Sequence, residues 1–293
     1  MRRRFVCGLI LFVAAGFRGS AGPLPPAGFL QDVPIHGPGF GGYSALHLSA
    51  DGLSYLTISD HGGFVTGTIE RDAGGKITAL HANAFTLLLA RTGQPLGPKQ
   101  TDSEGLAVAP DGQVYISFEG PARVLHYQTL GGRADALPVA PAFATMENNR
   151  ALEALALGPD GTLYTIPEIP AAPGQPFPVY RLNQGHWDQP FTIPARGPFM
   201  VSDATFGPDG RLYILEREFL GLGGFATRLR RFDLTAAGLV AEQTLIQTEP
   251  GTFDNLEGLA VWRDAKGLRA TMISDDNFLA LFRSQIVEFR LPD

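Results

Sequence analysis

Short apolar runs rich in Val, Ile, Tyr and Thr punctuate this chain, each ended by a turn signal, and five of them repeat one form. The first halves read SALHLSADG (44–52), EGLAVAPDG (104–112), EALALGPDG (153–161), DATFGPDG (203–210, one residue shorter) and EGLAVWRD (257–264). Each is followed by a second β-rich run: LSYLTIS, VYIS, LYTI, LYIL and ATMIS. Two such runs around Pro-Asp-Gly predict a β-hairpin, because proline presets the first turn angle, aspartate bonds nearby amides and glycine takes the positive φ. In the fifth copy a longer loop, Asp264-Ala-Lys-Gly267, replaces the tight turn. A recurring hairpin predicts an all-β fold, a single β-propeller of four-stranded antiparallel blades.

The turn aspartates at 51, 111, 160, 209 and 264 lie 60, 49, 49 and 55 residues apart. A four-stranded blade needs roughly 40 to 50 residues, so no interval holds two. Five blades follow, and a sixth with degenerate or short strands stays open, with the first or last gap its best place. The leftover sequence is divided between the two termini. This predicts that the N-terminal stretch closes the ring against the C-terminal strands and protects the sheet edges.

A hairpin returns to its starting point, so the residues before its first run and after its second share one end. Those pairs are Ser44 and Asp60, Glu104 and Glu119, Glu153 and Glu168, Asp203 and Glu216, and Glu257 and Asp275, followed by Asp276. Nine of these ten positions are acidic. All copies point the same way, so the acids are expected on one face near the central channel. There their mutual repulsion reaches several kcal/mol unless cations or arginines neutralise it. Arg123, Arg150 and Arg217 stand close by in sequence, with Arg228, Arg230 and Arg231 further along the fourth blade. Such a ring suits a hard cation held by oxygens, Ca²⁺ foremost. Asp60, Glu104, Glu119, Glu153, Glu168, Asp203, Glu216, Glu257 and Asp275 are the candidate ligands. Arg123, Arg150 and Arg217 are candidates to hold an anionic substrate group. Glu104 and Glu153 are the expected acid/base carboxylates, Arg150 or Arg217 the stabiliser of developing charge, and His61 a further proton carrier. The turn aspartates 51, 111, 160 and 209 are expected to be structural and to lie on the opposite face.

Composition narrows the setting. Hydrophobic residues make up 44% and charged residues 18% of 293 residues, enough for a core and contrary to disorder. Arg2, Arg3 and Arg4, an apolar run from Phe5 to Phe17 and small residues Gly19-Ser20-Ala21 have the layout of a secretory signal peptide over residues 1–21, leaving a propeller domain over 22–293 and a periplasmic or secreted protein. The single cysteine, Cys7, lies within that signal. Losing Arg2, Arg3, Arg4 and Arg18 takes the net charge from -6 to -10, which disfavours nucleic acid. The expected partner is a small-molecule ester or phosphate ester bound by a monomer, with no membrane span after signal cleavage. No zinc motif, phosphate-cradling glycine loop or dinucleotide fingerprint occurs, and Gly42-Tyr43-Ser44-Ala45-Leu46 lacks the second glycine of a nucleophile elbow. Trp187 and Trp262 read as packing residues.

Phe40-Gly41-Gly42-Tyr43-Ser44 with Ile58-Ser59-Asp60, Asp102-Ser103-Glu104-Gly105 with Phe118-Glu119-Gly120, Asn149-Arg150-Ala151-Leu152-Glu153, Leu215-Glu216-Arg217, and Asn255-Leu256-Glu257-Gly258 with Ser274-Asp275-Asp276-Asn277-Phe278 carry a resemblance. Together they resemble the phytase-like, "esterase-like activity" propeller family of exported bacterial proteins, over nearly the whole mature chain. The resemblance implies a Ca²⁺-linked phosphoesterase or esterase. Ala151 stands where that family often has glycine, and three lysines (Lys76, Lys99 and Lys266) are too few to surround a polyphosphate such as phytate. A lactonase-type propeller acting on a neutral cyclic ester, and a periplasmic ligand-binding or scaffold propeller with structural acids, are the competing readings.

Overall fold

The turn aspartates do what their sequence context asks of them. In a computed structural model describing residues 25–35, 41–148, 150–276 and 283–293, each carboxylate Oδ1 accepts the backbone N–H two residues on. Asp51 bonds Leu53 (3.0 Å), Asp111 Gln113 (3.2 Å), Asp160 Thr162 (3.0 Å), Asp209 Arg211 (3.3 Å) and Asp264 Lys266 (2.7 Å). Gly52, Gly112, Gly161 and Gly210 follow at φ 69°, 88°, 82° and 76°, a region that a side chain would disfavour. Residues 1–21, where a signal peptide is expected, and Phe40, Asn149, Asn277 and Phe278 lie outside the described residues.

Each hairpin grows into a four-stranded antiparallel sheet, and five sheets make five blades. The first blade holds Tyr43–Leu48, Ser54–Ser59, Gly63–Arg71 and Ile77–Ala82, with Thr86–Leu87 added against its third strand. The second holds Ser103–Val108, Val114–Phe118, Arg123–Tyr127 and Ala134–Ala136. The third holds Leu152–Leu157, Leu163–Pro167, Phe177–Asn183 and His186–Ile193. The fourth holds Met200–Phe206, Leu212–Phe219, Phe225–Thr235 and Gly238–Gln247. In the fifth, Asn255–Asp264, Gly267–Asp275 and Gln285–Arg290 are completed by the N-terminal strand Phe29–Pro34, the closure expected from the divided leftover sequence. The first strand of every blade contacts the first strands of both neighbours, so these five line the channel.

The core lies between blades. Five apolar clusters fill five interfaces, as where Ala45, Ile58 and Phe64 of the first blade meet Leu106, Ile116 and Phe118 of the second. At the closure seam, Glu288 is wholly buried. It accepts from Arg71 of the first blade at 2.8 Å, from Thr271 at 2.8 Å, and from Arg269 and Gln31. Trp262 is packing material, as expected, with Arg71 and Arg269 over its ring at 4.8 and 5.0 Å. Trp187 donates to the Pro138 carbonyl at 2.7 Å beside Phe143.

Candidate functional site

A β-bulge in each first strand builds the site. Pairing with the second strand skips at Ser44, Glu153, Ser202 and Glu257, and across Glu104 and Gly105 in the second blade. A bulged residue leaves the ladder and its side chain is re-aimed. Opposite each bulge, one residue beyond the partner of the residue that precedes it, stands Asp60, Glu119, Glu168, Arg217 or Asp275. Nine of these ten residues, together with Asp102, line one funnel of about 170 Å³ at a mouth of the channel. After two of the bulges the chain runs against the next blade's backbone: a Cβ on Gly105 would stand 2.6 Å from the Leu155 nitrogen, and one on Gly258 2.7 Å from that of Leu46, so these two positions require glycine. Farther along the channel the lining is Leu46, Leu106, Leu155 and Val261 with His47 and Thr205, and it includes no carboxylate.

The fourth blade departs from the other four. Its bulge falls on Ser202, which places Asp203 where the other blades carry Gly or Ala. Asp203 is therefore turned between blades, its Oδ2 accepting Leu259 N–H at 2.7 Å and its Oδ1 that of Ala204 at 2.8 Å. Burial pushes its carboxyl far above the usual range while those N–H groups pull it back. Glu216 also stands outside the funnel, buried between Arg228 (2.6 Å) and Arg230 (2.5 Å). Both were expected in the ring, and both are fully occupied elsewhere. In their place the ring receives Arg217. Its guanidinium reaches Glu153 and Glu168 at 3.2 Å each, the Asn255 side-chain oxygen at 2.9 Å, and Glu257.

Arg217 thus divides the funnel. On its side stand Glu153, Glu168 and Glu257. Beyond it stand Asp60, Asp102, Glu104 and Glu119, and one carboxylate oxygen from each of Asp102, Glu104 and Glu119 lies within 4.8 Å of the others. In all, eight carboxyl groups line the funnel against one guanidinium. Burial drives the Glu104 carboxyl well above its ordinary range, and the charges of Glu153, Glu119, Asp102 and Asp60 add to it. Glu119 is pushed up to about 7, chiefly by burial and against the pull of the Ala151 N–H that it accepts at 2.7 Å. Burial also raises Asp60 and Asp102, the latter opposed by a hydrogen bond with Glu104 and by the nearby charge of Arg123. Glu153 is raised well above the ordinary range by burial, with Arg217 opposing.

A stability signature follows. The folded chain holds protons on these groups that the unfolded chain releases above its ordinary carboxylate range. In chelator, stability should therefore fall as pH rises from about 4.5 to about 7. A change of that size at Glu119 alone corresponds to about 3 kcal/mol. Urea unfolding across this range checks it, and saturating Ca²⁺ should flatten the slope.

The remaining predicted residues are more scattered. Arg123 lies over the Phe118 ring at 4.2 Å and donates to the Pro121 and Gln100 carbonyls at 2.9 and 2.6 Å. Arg150 is solvent-exposed and is not among the funnel residues. His61 lines a second, larger cavity of about 570 Å³ on the same face. That vestibule shares Asp60 and Asp102 with the funnel, and Lys99, Thr101 and Asn148 also line it. Asp102 is absent from the sequence-based ligand set; its signal was its place two residues before Glu104 in Asp102-Ser103-Glu104.

The family model described as "Phytase-like: Esterase-like activity of phytase" matches residues 38–278. The chain belongs to this phytase-like family. No curated protein matches its sequence. Among solved structures, a protein named as a gluconolactonase is 14% identical, with 92% of this chain and 95% of that one covered at a TM-score of 0.49. A calcium-binding protein, regucalcin, from Agrobacterium tumefaciens is 15% identical, with 85% and 76% covered at 0.47. Virginiamycin B lyase from Staphylococcus aureus is 15% identical, with 90% and 74% covered at 0.42.

Proposed function

We propose that this phytase-like chain is a metal-dependent hydrolase of small esters, with Ca²⁺ held in the half of the ring that Arg217 does not reach. The observation that carries this reading is the convergence of Asp102, Glu104 and Glu119 beside Asp60, in a funnel where carboxylates outnumber guanidinium eight to one. The donors fit a hard cation: they are all oxygens, and no sulfur or imidazole belongs to the ring. When bound, the cation supplies charge that polarises an ester oxygen and acidifies a water. The protein's residues supply position and proton handling. Asp60 and Asp102 wall both funnel and vestibule, so an ester in the vestibule presents its reacting end to the cation's carboxylates. Glu153, whose burial favours its protonated form, is placed to hold and release a proton within the ring. His61 offers a second proton carrier in the vestibule wall.

One observation favours a second substrate class over phosphate-rich esters. Arg217 is saturated by carboxylates, Arg123 is held by carbonyls, and Arg150 lies outside the funnel. A neutral or singly charged ester, lactones included, suits this site better than a polyphosphate.

Thermal melting of chelated protein during Ca²⁺ titration tests the metal reading. A hundredfold excess over Kd stabilises by about 2.7 kcal/mol, which for a chain of this size raises Tm by roughly 5 °C. Glu104→Gln and Glu119→Gln should abolish that shift and lower hydrolysis of 4-nitrophenyl esters at least a hundredfold. An unchanged Tm at millimolar Ca²⁺ overturns the reading.

A further inference from the structure

We propose that Lys99 is the anchor for an anionic group on the substrate, so that the vestibule takes an ester carrying one negative charge, carboxylate or phosphate, at the end remote from the reacting bond. The inference rests on the hydrolase reading above and names the substrate class of that same site. Lys99 is the one lysine or arginine lining the vestibule. Among the described residues no carboxylate lies within ion-pair distance of it, whereas most of the described arginines are paired with acids. Asp60 and Asp102 stand in the same wall, yet neither reaches it. An exposed ammonium with no acid partner can pair directly with a single anion, while the surrounding carboxylates repel further negative charge. One cation therefore selects one anionic group and rejects a polyanion.

The cavity supports this division of labour. At about 570 Å³ it has the size of a small-molecule site, and its shared wall with the funnel sets the two ends of a ligand apart. Thr101 and Asn148 line it as neutral polar partners, suited to an anion's remaining acceptor oxygens.

The test compares mono-(4-nitrophenyl) succinate with its methyl ester, which has the same reacting bond and no charge. Lys99→Gln should raise KM for the charged ester about tenfold at unchanged kcat and leave the neutral ester's constants as they were. Lys99→Arg should keep KM within about twofold. Calorimetric titration with monomethyl glutarate and with dimethyl phosphate, both monoanions, gives a readout independent of turnover: the anion that Lys99 anchors should bind about tenfold more weakly to Lys99→Gln, and the two titrations distinguish carboxylate from phosphate. The Ca²⁺-dependent Tm shift should be the same in all variants. Equal effects on both esters, or anion binding indifferent to Lys99, overturns the proposal. If Lys99-dependent anion binding appears in protein that neither responds to Ca²⁺ nor cleaves either ester, the anchor stands and the hydrolase reading fails.

Discussion

In chelator at pH 8, Arg217→Gln is expected to lower the unfolding free energy by about 3–5 kcal/mol, the cost of stripping one partner from a buried ion network. Arg217 occupies the position held by Asp60, Glu119, Glu168 and Asp275 in the other blades, so the ring has exchanged one acid for one base. Its guanidinium meets Glu153, Glu168 and Glu257 together. Without it these carboxylates face one another with no counter-charge. At pH 5 the loss should shrink by half or more, because protonation can then relieve the repulsion. Millimolar Ca²⁺ should restore much of the stability at pH 8, because a cation can take the vacated place. Arg217→Lys should fall between the two, since one ammonium cannot match a planar fork shared among four acceptors. Guanidinium chloride unfolding at the two pH values, with and without Ca²⁺, reads all of these. Wild-type stability for Arg217→Gln at pH 8 in chelator would overturn the account of the ring.

How much of this could be read from the sequence depends on which residues set the register. The hairpins, the count of five blades and the terminal closure were legible because Pro-Asp-Gly turns and alternating β-rich runs are local signals. The acidic face was legible for the same reason. The fourth copy was misread because Asp203 was aligned with Glu104 and Glu153 across a gap. Counting seven residues back from each turn aspartate instead gives Ser44, Glu104, Glu153, Ser202 and Glu257, the five bulge positions. The shared pair Leu163-Tyr164 and Leu212-Tyr213 likewise sets Arg217, not Glu216, opposite Glu168. A bulge shifts side chains by one residue without changing the apolar pattern, so periodicity alone does not reveal it. Nor does sequence proximity say which arginine reaches the acids. Arg123 and Arg150 adjoin the ring residues in the chain, yet Arg217 alone lines the funnel with them.

The closure seam yields the second large effect. Glu288→Gln is expected to cost about 3–5 kcal/mol, because it leaves Arg71 and Arg269 facing each other around Trp262 without their shared carboxylate. Glu288 has 0% exposure, so water cannot replace the lost charge. Its pH signature has the opposite sign to that of the ring. Burial would raise its carboxyl, but Arg71 and Arg269 hold it below the ordinary range. Its contribution is therefore present above about pH 4.5 and lost as pH falls through the lowered value. The change should be felt first at the N-terminal strand Phe29–Pro34, which is held to the fifth blade by its pairing with Gln285–Arg290 and by Gln31 on Glu288. Hydrogen exchange in that strand should rise more than in the third blade. The exposed pair Glu70 and His81 supplies the control: Glu70→Gln should change stability by less than about 0.5 kcal/mol. Because Asp102, Glu104 and Glu119 all belong to the second blade or its entry, away from the seam, Glu288→Gln should keep the full Ca²⁺-dependent gain in Tm. Loss of that gain together with stability would mean that the cation site depends on the closed ring as a whole.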